Sequence, residues 1–583
     1  MAFNKYFEDE LSFLRELGEE FARDYPNLAP YLAEPGNDPD VERLLEGFAF
    51  LTGRVRQKLD DELPELTHSL MALLWPHYLR PLPSVATVAF DPVRHVFTGP
   101  KLIPRGSEVD STPIDGTTCR FRTCYDVTLL PLEVADADVT NTGNSSELTL
   151  GFSVFSGVQA LRGHLGALRL HLHADRHIGQ TLYLWFRRYL TGIRIQTADG
   201  SSYHLPVEQL KAQGFAEDQT LLPYPKTSFA GYRYLQEYFH FPEKFLYFDL
   251  HGLDELNARF EEGFSVHFHF SRPLDPKLRI RAQQFRLHCT PVVNLFAHSA
   301  DPIRVDQRHM EYRVRPQGRS SRHFEIFSID RVEGWIRGSG RRRRYPAFES
   351  FDHLVTSKGL REEIYYRQRV RSSLADDGLE HHLSFVNASD QLTEPATEVI
   401  SLDLTCSNRQ LAGKLGVGDI CVPTAGSPPY ARFSNISPVT PSVSPPMDDG
   451  LHWRLISNIG LNYLSLNDIR ALRVIVTTYD FHAFVNRPAE RAAQQRMEGL
   501  IAIESEPFDW LYEGLPVRGV KSRLTMHEKR FGSEGEMYLL ATVLNEFFSL
   551  YANVNSFHAL EVVGQEHGEV YQWPPKIGRR PLL

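Results

Sequence analysis

Cysteine is scarce. The five in 583 residues (Cys119, Cys124, Cys289, Cys406 and Cys421) are an odd number, dispersed and without a CxxC pair, which points to reduced, mostly buried thiols rather than a disulfide framework. Cys119 and Cys124 have no second Cys or His pair at ligand spacing nearby, so no metal is expected there. Long apolar runs are missing as well. None approaches the span of a membrane helix, and the opening Met-Ala-Phe-Asn-Lys-Tyr-Phe-Glu-Asp-Glu lacks a basic segment followed by an apolar core, so the expectation is a cytoplasmic chain without direct membrane insertion. Positive charge is in deficit: 63 Lys+Arg against 73 Asp+Glu leave a net charge of -10, which argues against sequence-independent binding of nucleic acid. There is no Gly-X-Y period and no Gln/Asn-rich tract. Catalytic signatures are absent too, with no GxxxxGK[ST], no GxGxxG after a strand, no HExxH and no GxSxG. The run Gly413-Lys414-Leu415-Gly416-Val417-Gly418 lacks the Ser/Thr that a phosphate loop needs after its lysine, and reads as a turn near a strand end.

Apolar residues make up 42% and aromatics 11%, enough to build several cores, and the length suggests roughly three to five of them. Charge is uneven: residues 1–70 hold sixteen acidic against seven basic side chains, while the remainder is nearly neutral. Segment 1–83 reads as helical. Phe3, Phe7, Leu11, Leu14, Leu17, Phe21 and Tyr25 recur at helical steps until Pro26 and Pro30 end the pattern. A second helix is predicted from Asp38-Pro39 through Val41, Leu44, Leu45, Phe48, Leu51, Val55 and Leu59, and a third after Pro64.

From about residue 84 to 480 the dominant period is two, as in Leu182–Phe186, Phe264–Phe270 and Leu472–Val476, with turn signals at Asn141–Asn144, Asp199-Gly200 and Asp376–Gly378. These predict strands of sandwich- or barrel-like modules. The reading is a multidomain α+β chain: a helical assembly segment 1–83, β-rich domains 84–300 and 301–421, a Pro/Ser-rich linker or loop 422–449, and a mixed α/β domain 450–583. In the last, a helix is expected around Glu490–Ile501 and another after Ser533-Glu534-Gly535-Glu536, a capping-box pattern. Its apolar positions include Met537, Leu540, Leu544, Phe547, Phe548 and Tyr551.

Two features invite a functional reading. The pairs His171/His173 and His267/His269 fall on apparent strands, where alternate residues share a face, an arrangement that suits metal ligation. Their apolar neighbours take the opposite face, so the histidines are expected to meet solvent or a partner, and no catalytic residue, metal or cofactor is assigned. Adjacent His381 and His382 would point oppositely. The second feature is the basic run Arg341, Arg342, Arg343 and Arg344 beside Gly338-Ser339-Gly340, expected as an exposed loop that is simply solvated, docks an acidic protein surface, or contacts nucleic acid or phospholipid.

Phe3–Leu11, Asp40–Leu51, His77–Pro81 with Pro83-Ser84, Leu455–Asn458 with Leu461–Leu466, Phe531–Glu536 and Tyr551–Phe557 form a specific set when taken together. In these stretches the chain resembles the TssF (VasA/ImpG) family, baseplate subunits of bacterial type VI secretion systems. The resemblance implies a non-enzymatic wedge component of a contractile, phage-tail-like machine. It further implies two copies joined to one TssG, TssK trimers attached below, TssE toward the sheath, and neighbouring wedges around the spike hub, docked at the inner membrane. Interface candidates are Phe3, Phe7, Leu11, Leu14 and Phe21 on the first helix, the four arginines 341–344, and Leu544, Phe547 and Phe548 on the last. The rivals are a metal-dependent β-barrel enzyme using the HxH strands and a nucleic-acid-binding module centred on the arginines.

Overall fold

The computed structural model describes residues 11–12, 14, 40, 43–54, 71, 75–93, 99–155, 165–224, 231–256, 260, 263–305, 309–318, 323–336, 342–348, 364–373, 378–387, 398–447, 468–512, 514–549, 552 and 555–578. The chain divides into two compact units, residues 1–75 with 448–456, and residues 76–447 with 457–583.

In the first unit Leu11, Ser12 and Leu14 are helical, as is the continuous stretch 43–54. Phe3, Phe7 and Phe21 lie outside the described residues, as does the cap expected at Asp38-Pro39.

The second unit is mostly sheet. One sheet runs, in spatial order, Ala431–Asn435, Val85–Pro92, Cys289–Val293, Thr117–Thr123 and Glu108–Ile114. Residues 85–90 are buried without alternation, the mark of a strand covered on both faces. Phe90, Val109, Phe121 and Phe433 share its core with Leu411, Ala412 and Leu415. The glycine-rich run thus begins inside a 3-10 turn, Arg409–Lys414, that plugs the sandwich. The Pro/Ser-rich stretch read as a linker is part of this body. It supplies the outer strand, and Val443 bridges to Leu82 while Ser442 Oγ donates to the Leu82 carbonyl at 3.0 Å. Its prolines suit an edge position, where missing N–H groups cost little.

A second sandwich is made by a sheet centred on Glu398–Ser407 and Glu325–Ile336 and a sheet of Tyr312–Val314, Leu379–Asn387 and Ile364–Ser372. Val332, Tyr345, Leu383, Phe385, Leu402 and Cys406 lie in its core. Between the sandwiches in sequence come two more sheets, one with Leu190–Thr197, Phe264–Phe270 and Ser145–Val154 at its centre, the other with Tyr247–Leu250 and Leu168–Leu172. Cys119, Cys124, Cys289 and Cys406 are buried free thiols, as expected, while Cys421 is exposed. Burial pushes the Cys124 and Cys289 thiols up to about 12, so neither ionises at neutral pH.

Among the described residues of this unit the α-helices are α1 (Arg176–Leu184), α2 (Gly231–His240), α3 (Ile469–Thr478), α4 (Phe481–Val485), α5 (Arg487–Gly499) and α6 (Glu534–Ser549). Two of them replace expected strands. Leu182–Leu184 end α1, and Trp185 and Phe186 open a π-turn, Trp185–Tyr189. The Phe186 ring meets Phe248, Phe268 and Phe270, so this apolar run is buried all round and loses the alternation that separates strand from helix. Leu472–Val476 lie in α3, whose Leu472, Ile475 and Val476 are buried at helical spacing and whose first turn is capped by Asp468 accepting from the Arg470 amide at 2.9 Å.

The C-terminal sheet combines the hairpin Leu500–Tyr512/Leu515–Met526 with Phe557–Gly564, which runs parallel to Leu515–Met526. α6 is the crossover that a parallel pair requires. Ser533 Oγ accepts from the Glu536 amide at 3.0 Å, while the Glu536 carboxylate reaches back to the Gly532 amide at 2.8 Å, one residue beyond an ordinary capping box. Ser533→Ala is expected to cost about 1 kcal/mol, read as a lower denaturant midpoint; an unchanged midpoint would remove the cap from the account.

Candidate functional site

Among the described residues the features that stand out first are surfaces. Helix 43–54 of the first unit buries its small side. Ala49 and Gly53 are buried and Leu45 is half-buried, whereas Leu44, Phe48 and Leu51 are 73%, 56% and 63% exposed. Those three stand at i, i+4 and i+7, a continuous stripe of large apolar side chains facing outward. An ordinary surface helix does the reverse, and an exposed stripe of this kind marks a contact surface. Leu11 and Leu14 are half-buried.

The second surface was not foreseen. Val520↔His558 is the first register pair between the hairpin and the parallel strand, so residues 508–512 and 514–519 extend as a two-stranded ribbon that exposes Leu511 (70%) and Leu515 (69%) toward its tip. Gly514, at φ +82°, makes the tight turn. The signal was the alternation Phe508, Trp510, Tyr512 ahead of that glycine.

The arginine run is an edge strand rather than a loop. Arg342–Tyr345 pair with Val332–Trp335, and Arg341 lies outside the described residues. Arg342 stacks over Trp335 at 4.5 Å and sits 3.9 Å from Glu333, while Arg331 is held by Asp403 at 2.5 Å and Glu333 at 3.5 Å. Arg343 lies over the Tyr345 ring and Arg344 is exposed. Carboxylates interleaved with guanidinium groups make this face mixed in charge, which weakens the case for a nucleic-acid backbone as its partner.

Leu544, Phe547 and Phe548 are not available to a partner. All are fully buried within the second unit, where α6 packs on α1, α2 and the strand Phe557–Gly564, with Phe547 against Tyr232 and Phe548 against His558. A helix apolar on every side is a core helix, and the sequence stripe could not reveal that its polar positions were covered too.

The histidine pairs also depart from expectation. His171 is buried, stacked on Tyr247 at 4.2 Å, and held down to about 3 by burial. His267 is buried and His269 half-exposed, and their Nδ1 atoms lie 2.8 and 2.9 Å from the two oxygens of Glu147. The pairs stand on different sheets, and among the described residues they form no common ligand set. His77–Pro81 is a packing motif: Tyr78 meets Tyr479 and Phe481 edge-on, and Arg80 lies over Phe327 at 5.3 Å.

β-rich cores that leave apolar and mixed-charge side chains exposed are features of a subunit that assembles with other chains. The chain belongs to the TssF family of type VI secretion: the family model matches residues 1–580. It is 31% identical to the type VI secretion system component TssF1 of Pseudomonas aeruginosa, over 99% of both chains. It superposes on a chain of the TssK-TssF-TssG baseplate subcomplex seen by cryo-electron microscopy with a TM-score of 0.79 at 31% identity, covering 93% of this chain and 100% of that one. A chain of the type VI baseplate complex matches with a TM-score of 0.64 at 29% identity, covering 99% and 100%. The protein is a type VI secretion baseplate component. Among the described residues no helix is long and apolar enough to cross a membrane.

Proposed function

We propose that this chain works as a non-enzymatic wedge subunit that binds TssG and TssK, pairs with a second copy of itself, and meets TssE and the neighbouring wedges around the hub, at a baseplate docked to the inner membrane. The observation that carries the reading is the outward stripe Leu44, Phe48 and Leu51, which a helical partner would bury. TssG is the partner assigned to it, with Phe3, Phe7, Leu11, Leu14 and Phe21 extending the same contact along the first helix. The arginines 341–344 are assigned to an acidic protein surface. Covering three large apolar side chains contributes on the order of 5 kcal/mol, so Leu44→Asp with Phe48→Asp is expected to weaken co-purification of TssG at least about 100-fold. Circular dichroism should stay unchanged, because both side chains already face water. Undiminished co-purification would defeat the reading.

A further inference from the structure

The geometry points to a transition-metal site of the zinc type, formed by His527, Glu528 and Glu566, at the carboxyl ends of the two parallel strands of the C-terminal sheet. Met526↔Gly564 is the last register pair of those strands, so the chain leaves both on the same side of the sheet. The residues that follow, 527–528 and 565–567, therefore face each other, at the place in a parallel arrangement where ligands gather.

One ligand atom from each of His527, Glu528 and Glu566 lies within 4.8 Å of the others. His527 Nδ1 is shut off from solvent, makes no hydrogen bond, and stands 3.7 Å from Glu566 Oε1. That separation is too long for a hydrogen bond, yet close to the roughly 3.3 Å that two ligands about 2.0 Å from a tetrahedral ion keep between them. Imidazole and carboxylate together suit zinc and its neighbours rather than magnesium.

The surroundings hold the Glu528 carboxylate in place. A Cβ on Gly564 would fall 2.0 Å from Glu528 Oε1, so only glycine leaves room for that side chain. Glu528 is oriented by the amides of Glu566 and His567 at 3.1 and 3.4 Å, the outer-shell support that a ligating carboxylate needs. Lys529 Nζ, 2.7 Å from Glu566 Oε1, competes with the ion for that oxygen.

The experiment is calorimetric titration of Zn²⁺ into the full chain after chelator treatment, with Mg²⁺ in excess as background. The expected result is a site of unit stoichiometry that is weakened at least 10-fold by His527→Ala and by Glu566→Gln, each with an unchanged circular dichroism spectrum. Lys529→Ala should tighten it, which a purely structural role of Glu566 does not predict. Absence of zinc binding, or equal binding by the parent and both ligand variants, would overturn the site.

Discussion

Gly535→Val is expected to destabilise the second unit by about 3 kcal/mol or more, and to leave little folded protein at 37 °C. A Cβ at this position would stand 2.3 Å from the Gln180 carbonyl oxygen, 2.4 Å from its carbon and 2.7 Å from the Thr181 amide nitrogen. All three atoms are backbone of α1, so no side-chain rotation relieves the clash. The two helices would have to separate, and the π-turn that follows α1 carries Phe186 into the aromatic cluster with Phe248, Phe268 and Phe270. Denaturant titration is the measurement. Gly192→Ala serves as control: its Cβ would meet only His269 Cδ2 at 3.8 Å, and its midpoint should differ far less from that of the parent. Equal midpoints for Gly535→Val and the parent would mean that the close helix contact is not a constraint.

Acidification from pH 7 to pH 5 is expected to unfold much of the second unit. Burial holds His77, His171, His240 and His558 down to about 3, and His288 and His381 to about 4, with neighbouring cationic groups adding to the effect at His77, His171, His240 and His381. His240 shows the geometry: Nε2–H donates to the Pro83 carbonyl at 2.7 Å, so Nδ1 is left to accept from His482 at 3.1 Å, and a second proton has no place to go. For bases whose folded pKa is depressed, the unfolded chain binds more protons between the two values. Stability is therefore complete above about 6.5 and falls with pH below it. At pH 5 each such histidine forfeits about 2 kcal/mol, and six together reach the order of 10 kcal/mol, comparable with a whole domain's stability. Asp480 works in the opposite direction. Burial raises it to about 6 against the pull of Arg496, so it regains only about 1 kcal/mol over the same interval. Near-ultraviolet circular dichroism followed against pH is the check, and native signal persisting at pH 4.5 would contradict this account.

How much of this was legible in the sequence depended on whether one face of an element meets water. Phe264–Phe270 and the turns at Gly143 and Gly200 were readable, because alternation and a left-handed glycine survive in the chain as written. Leu182–Phe186 and Leu472–Val476 were not, since a run packed on all sides has the same composition as helix or strand. Caps carried the missing information at α3 and α6, where Asp468 and Ser533 mark the starts. The apolar stripes divide in the same way. Leu544, Phe547 and Phe548 looked like a docking stripe but are sealed by their own unit, whereas Leu44, Phe48 and Leu51, read only as the apolar positions of a helix and not as interface candidates, are left outward. Periodicity locates an apolar face without saying what covers it. The basic run was visible as charge, but its strand pairing and the carboxylates among it come from Glu325–Ile336 and Glu398–Ser407, which only the fold brings near.

The first sheet sets a timetable for biosynthesis. Val85–Pro92 takes its partners from Cys289–Val293 and Ala431–Asn435, so this sandwich stays open until the ribosome has released about 350 further residues. At roughly 5–20 residues per second that is on the order of a minute or less during which an early strand lacks its second neighbour, Ala431–Asn435. The lobes encoded in between can close first, like clauses inside a parenthesis. Premature termination anywhere before residue 431 leaves the bracket without its closing half, and a hydrophobic strand edge for chaperones to shield.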